Sequence, residues 1–183
     1  MTKEITRVLD HVFECTLEMI TKNFQDYPEH RVHFFNLLRA INQHCFQAMF
    51  TLSSTHFKLI LDSIVWAFKH TERQISETGL NILLELLKNI AASGPDASSA
   101  FYKSYFLNLL QDVFYVLTDT FHKSGFKLQA AILMHMFQTV ESGAVQTPLW
   151  ESSQVQDPTM TNQRFMREYV MNLLRNAFRN LAK

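Results

Sequence analysis

Glycine and proline are scarce, four of each in 183 residues. Tight turns draw on Gly, Pro and Asn, and antiparallel sheets and α/β folds need many such turns. The shortage therefore excludes a turn-rich fold and favours long helices with few connections. Cysteine is almost missing as well. Cys15 and Cys45 make no disulfide framework, which fits a reducing cytoplasm or nucleus. Neither sign of charge is in excess, with 17 Lys and Arg against 17 Asp and Glu. No bulk field draws the chain onto phosphates, so nucleic acid is not an expected partner. No apolar run approaches the roughly 18 residues of a membrane span, so a membrane is not expected either. The opening tract MTKEITRVLD has no signal-peptide hydrophobic region. It enters a helical pattern at once, as a segment of a longer chain would.

What the chain does have is apolar material, 47% of its residues, including 16 Phe. That is ample for a core and too much for a disordered chain. It is laid out with helical periodicity. A first helix is predicted over about 3–24, and Asp26 and Pro28 in FQDYPEH end it and start the next. The second covers about 29–50, with Phe34, Leu37, Leu38, Ile41, Cys45 and Met49 on one stripe. The third, about 55–70, is apolar on more than one side, and a helix of that kind lies between neighbours; Trp66 is expected to be mostly buried. Thr71 and Gln74 resemble a capping box before a fourth helix that reaches about Ala92. After the loop Ser93–Asp96, a fifth helix runs over about 98–122 and a sixth over about 126–141. Residues 142–161 hold two prolines and show no period, so they read as an irregular surface loop with Trp150 packed back or disordered. Thr161 or Asn162 caps a last helix that ends near Leu181.

Helix starts at about 3, 55 and 98, and at about 29, 72 and 126, recur at intervals close to the ~40–47 residues of HEAT and armadillo units. The expected fold is all-α: a HEAT-type α-solenoid fragment of three antiparallel helical hairpins (about 3–50, 55–92 and 98–141), a loop insertion over 142–161 and one further helix over about 162–181. Repeat units bury their faces against neighbours, so an exposed apolar strip is expected at one or both ends.

No chemistry is visible in this frame. His30, His33 and His44 fall on roughly one helix face, but His33 and His44 are separated by about 16 Å of helix axis. Zinc holds its ligands at ~2 Å, so these read as surface or packing histidines. His44 and Cys45 are helical neighbours pointing about 100° apart, which prevents the imidazole from taking the thiol proton. There is no GxGxxG, GxxxxGK[ST] or GxSxG pattern. No catalytic residue, metal ligand or cofactor is therefore expected. Arg164, Arg167, Arg175, Arg179 and Lys183 make the last helix basic and amphipathic, read here as the solvated face of a packed helix.

The tracts YPEHRVHFFNLLRAINQHCF (27–46), FKLILDSIVWAFKHTERQISETGLNILLELLKN (57–89) and REYVMNLLRNAF (167–178) closely resemble the C-terminal part of the exportin-1 family, nuclear export receptors of the importin-β superfamily. The likeness is colinear over nearly the whole chain. It implies a ring of HEAT repeats that wraps Ran–GTP, carries proteins with leucine-rich export signals, touches nucleoporins and shuttles between nucleus and cytoplasm. The cargo groove of the family, with its reactive cysteine, lies in repeats that precede this segment, and neither Cys15 nor Cys45 matches it. In such rings the second helix of each hairpin faces inward. That points to Arg39 on the second helix and to Glu77, Asn81, Glu85 and Lys88 on the fourth as protein-binding residues, opposite their apolar stripes. Arg31 and Gln43 likewise lie off the stripe of the second helix. The competing reading is a generic HEAT or armadillo interaction scaffold with no part in transport.

Overall fold

A computed structural model describes Arg7, His11, Cys15, Thr16, residues 27–151, 153–155 and 157–177. The first predicted helix, over 3–24, falls almost entirely outside the described residues. Six α-helices follow: α1 (Pro28–His44), α2 (Ser54–Phe68), α3 (Arg73–Ala92), α4 (Pro95–Thr118), α5 (Phe126–Glu141) and α6 (Asn162–Ala177). Short 3-10 segments span Phe46–Thr51 and Thr120–Gly125. There is no strand among the described residues. The all-helical make-up is that of a HEAT-type α-solenoid.

Local chemistry explains the boundaries. Pro28 and Pro95 open α1 and α4 at first-turn positions, where a missing N–H leaves no bond unmade. Ahead of Pro95 the backbone turns through Gly94 at φ 103°, a conformation that a side chain would resist. The fifth predicted helix thus starts a turn earlier than its apolar stripe suggests. Ser53 caps α2, its Oγ accepting from His56 N at 3.2 Å. Thr161 caps α6, its Oγ accepting from Arg164 N at 3.2 Å. The start of α3 departs from the expected capping box: the His70 ring accepts from Glu72 N at 2.9 Å, and Ser76 N donates to Glu72 O at 3.0 Å.

Two predicted helices are shorter than their stripes. The second stops at Cys45, whose φ of −137° leaves the helical region, and 3-10 turns take over, burying Ala48 and Met49 at 2% exposure each. The fifth stops at Thr118. Asp119 then caps the next 3-10 segment, accepting from Phe121 N at 3.2 Å and pairing with His122 Nδ1 at 2.8 Å. Those hydrogen bonds hold the Asp119 carboxyl below the usual carboxylate range, the Phe121 amide being the main cause.

The chain groups into two compact units, one through Glu85 and one from Leu86. In the first, α2 and α3 form a hairpin so close that Gly79 lies directly against Ala67 and Phe68, while Ser76 Oγ donates to Phe68 O at 3.0 Å. Phe35 of α1 stacks on Trp66 of α2, centroids 6.3 Å apart. Trp66 is mostly buried, as its two-sided apolar helix suggests.

In the second unit, Tyr102, Phe106, Leu109, Leu110 and Val113 of α4 join Ile132, Met136 and Val140 of α5 in the core. Burial pushes the Tyr102 phenol up to about 12, against a smaller downward pull from Thr139. The described residues of 142–161 are irregular but closely tethered. Asn162, the first residue of α6, receives Leu149 N on Oδ1 at 3.0 Å and donates from Nδ2 to Val145 O and Thr147 O at 2.8 and 2.9 Å. Ser99 Oγ accepts from Gln146 N at 2.8 Å, and Lys103 Nζ reaches Trp150 O at 2.9 Å. Val145 and Leu149 are buried, and Trp150 packs on Phe165, centroids 5.2 Å apart. Met166 is the one residue of α6 that is fully buried. Met171 and Leu174 remain exposed. Arg179, Lys183 and residues 1–6 lie outside the described residues.

Candidate protein-binding face

The first unit places α1 beside α3 in parallel. Near the helix starts, Pro28, Arg31 and Phe35 share a groove with Gln74, Ile75 and Thr78. Near the far end of α1, the wholly buried Asn42 donates to Ile82 O at 3.2 Å, and Gln43 Nε2 donates to Glu85 Oε1 at 2.9 Å. Both helices advance together, as equivalent helices of successive hairpins would.

That pairing orders the polar residues. On α3, Arg73, Glu77, Asn81, Glu85 and Lys88 recur at helical spacing along one side, away from the buried Ile75, Ile82, Leu83, Leu86 and Leu87. Arg73 Nε donates to Glu77 Oε1 at 2.7 Å, and Asn81 Nδ2 to Glu77 O at 2.8 Å. Glu85 is half-buried; one carboxylate oxygen takes the Gln43 amide, and the other is shut from solvent with no hydrogen-bond partner among the described residues. Arg39 is exposed one turn before Gln43, hence on the same side of α1. Lys88 is exposed one turn beyond Glu85. Of the five residues singled out from sequence, Glu77 and Asn81 are in direct contact, and Glu85 is tied to α1 through Gln43. Neither Arg39 nor Lys88 makes a hydrogen bond or ion pair among the described residues.

Arg31 departs from its expected placing. It is 4% exposed, its Nε and Nη1 shut from solvent, because the start of α3 covers it in the α1–α3 groove. Gln43 and Arg73 contribute more to the face than the stripe argument gave them. Their partners sit on another helix turn or another helix, and helical spacing alone does not disclose that. Elsewhere Arg164 and Arg167 of α6 are ion-paired and exposed: Arg167 grips Glu141 through two nitrogens at 2.9 and 2.8 Å. Among the described residues no three His, Cys, Asp or Glu gather as a metal cluster, and no helix is long and apolar enough to cross a membrane.

An all-helical chain in which α1 and α3 run parallel and are joined through Asn42 and Gln43 has the make-up of a HEAT-type α-solenoid. The family described as CRM1 C terminal matches residues 1–183, and the chain belongs to that family. It is similar to Exportin-1 of Schizosaccharomyces pombe, 56% identical over 181 residues. It is also similar to Protein EXPORTIN 1B of Arabidopsis thaliana, 54% over 182 residues, and to Exportin-1 of Dictyostelium discoideum, 51% over 171 residues. These alignments cover 99%, 100% and 93% of this chain but only 17%, 17% and 16% of the respective relatives. The chain thus spans about a sixth of their length.

Proposed function

We propose that this chain is the C-terminal HEAT segment of a nuclear export receptor, and that its α1–α3 face helps enclose Ran–GTP while the full receptor carries proteins with leucine-rich export signals. The observation that carries the reading is the parallel α1–α3 pair, joined by Asn42 and Gln43, in a chain whose relatives are named as exportins. The parallel helices hold Glu77, Asn81 and Glu85 in place as polar contacts, with Arg39 and Lys88 exposed on the same helices. Such contacts suit a partner that must leave again, because rim charges set rate and specificity more than raw affinity. The receptor would shuttle between nucleus and cytoplasm, and nucleoporins would be further partners.

The test is simultaneous charge reversal, Arg39→Glu, Glu77→Lys and Glu85→Lys, in the full-length receptor. Each surface charge is worth only ~0.2–1 kcal/mol when exposed, so the triple change should weaken Ran–GTP binding by about tenfold and lower cargo loading with it. Wild-type affinity in a receptor whose helicity by circular dichroism is unchanged would remove this face from the contact.

A further inference from the structure

A second surface lies on α6, away from the residues assigned above. Phe165, Glu168, Tyr169 and Asn172 recur at i, i+3, i+4 and i+7 and form one stripe of the helix. The end of the tethered loop folds over this stripe, and Val155, Asp157 and Met160 close a surface depression of about 300 Å³ above Phe165 and Tyr169. Those two rings stack at 6.0 Å and 28°, continuing a ladder that begins at Trp150. The floor is therefore aromatic and the rim carries two carboxylates.

The charges are unbalanced. Arg164 donates to Asp157 Oδ2 at 3.0 Å and to Glu168 Oε1 at 2.9 Å, one cation between two anions. Asp157 Oδ1 is taken by Thr159, through its hydroxyl at 2.7 Å and its amide at 2.9 Å. Glu168 Oε2 accepts no hydrogen bond from any described residue. Among the described residues one negative charge and one carboxylate oxygen are thus left over at the edge of an aromatic surface. A planar guanidinium answers both: its face stacks on aromatic rings and its edge donates to a carboxylate. A lysine ammonium, strongly hydrated and without a plane, meets only the charge.

We infer that this depression docks a partner protein segment by receiving an arginine side chain, which lies over Phe165 and Tyr169 and donates to Glu168. The amides of Gln154 and Asn172 at the rim suit the polar backbone that brings the arginine in.

The test uses the isotope-labelled 183-residue chain, titrated with acetyl-Gly-Arg-Gly-amide while backbone amides are followed by NMR. The controls are the same tripeptide with citrulline, which keeps the shape and loses the charge, and with glutamate. The arginine peptide should shift the amides of Phe165, Glu168, Tyr169 and Asn172 saturably, with citrulline several-fold weaker and glutamate inert. Glu168→Gln should weaken the arginine peptide by about fivefold, the scale of a strong exposed pair, with the thermal midpoint unmoved. Tyr169→Leu should weaken arginine and citrulline alike; if that variant folds poorly, the peptide comparison on the parent chain decides. Equal binding of arginine and citrulline, shifts confined to other residues, or full affinity in Glu168→Gln would each overturn the proposal.

Discussion

Gly79→Ala sets two effects of known size against each other. In a helix interior, alanine is favoured over glycine by about 1 kcal/mol, so the substitution would stabilise α3 in isolation. The structure opposes it. A Cβ on residue 79 would stand 2.7 Å from Phe68 N, 2.8 Å from Ala67 Cβ and 3.1 Å from Ala67 C. Two of these neighbours are backbone, and ordinary contact begins near 3.4 Å, so the last turn of α2 must retreat by more than half an ångström. It is poorly placed to do so, since Ala67 and Phe68 are both 0% exposed and the Phe68 carbonyl is held by Ser76. Overpacking of this kind costs typically about 1–3 kcal/mol, and a backbone obstacle belongs at the upper end. The net expectation is a loss of about 1–2 kcal/mol, or about 2–8 °C in melting temperature for a chain of this size. Thermal unfolding followed by circular dichroism reads it directly. Asn81→Ala, on the exposed side of the same helix, should stay within about 0.5 kcal/mol of the parent. A Gly79→Ala chain that melts at or above the parent would refute the close α2–α3 approach.

Other outcomes follow from single residues. Asn162→Ala removes three hydrogen bonds between α6 and the loop and should cost about 2–3 kcal/mol. Limited proteolysis should then cut the tethered stretch 145–150 faster than in the parent chain. Tyr102 has its pKa raised to about 12 by burial. The unfolded phenol ionises first, so its contribution is intact below about pH 10 and is lost as pH rises through about 12. Denaturant midpoints measured from pH 9 to 11.5 should fall more steeply in the parent than in Tyr102→Phe.

Much of this architecture is legible in the amino-acid order, for reasons particular residues make clear. Phe126–Glu141 emerges with its predicted limits, because Gly125 and Ser142 punctuate a strong apolar period. The 3-10 breaks at Cys45 and Asp119 are not foreshadowed: no glycine or proline marks them, and they depend on where Ala48, Met49 and His122 find burial. Arg31 illustrates a second limit. A stripe argument treats each helix as if alone, whereas α3 runs parallel to α1 and covers a residue that the stripe leaves outside. The polar face was visible as spacing, but the bond from Gln43 to Glu85 spans 42 positions and is fixed only by tertiary packing. The loop reads as irregular from Pro148 and Pro158, while its anchoring rests on the amide of Asn162, a residue whose evident sequence role is to begin a helix.

The tethers of that loop also govern where its length can change. Between Val145 and Trp150, nearly every residue is held at a fixed position against Ser99, Lys103, Asn162 or Phe165. One residue inserted there would offset the Asn162 contacts on either side of it, exposing Leu149 or Val145 in the process. Beyond Trp150 the bonds are mostly local: Glu151 to Gln154, Asp157 to Thr159 and Met160. That second stretch can grow or shrink without disturbing the first, so a peptide tag or fluorophore loop spliced after Gln154 should leave the helices intact, whereas the same splice after Thr147 should not.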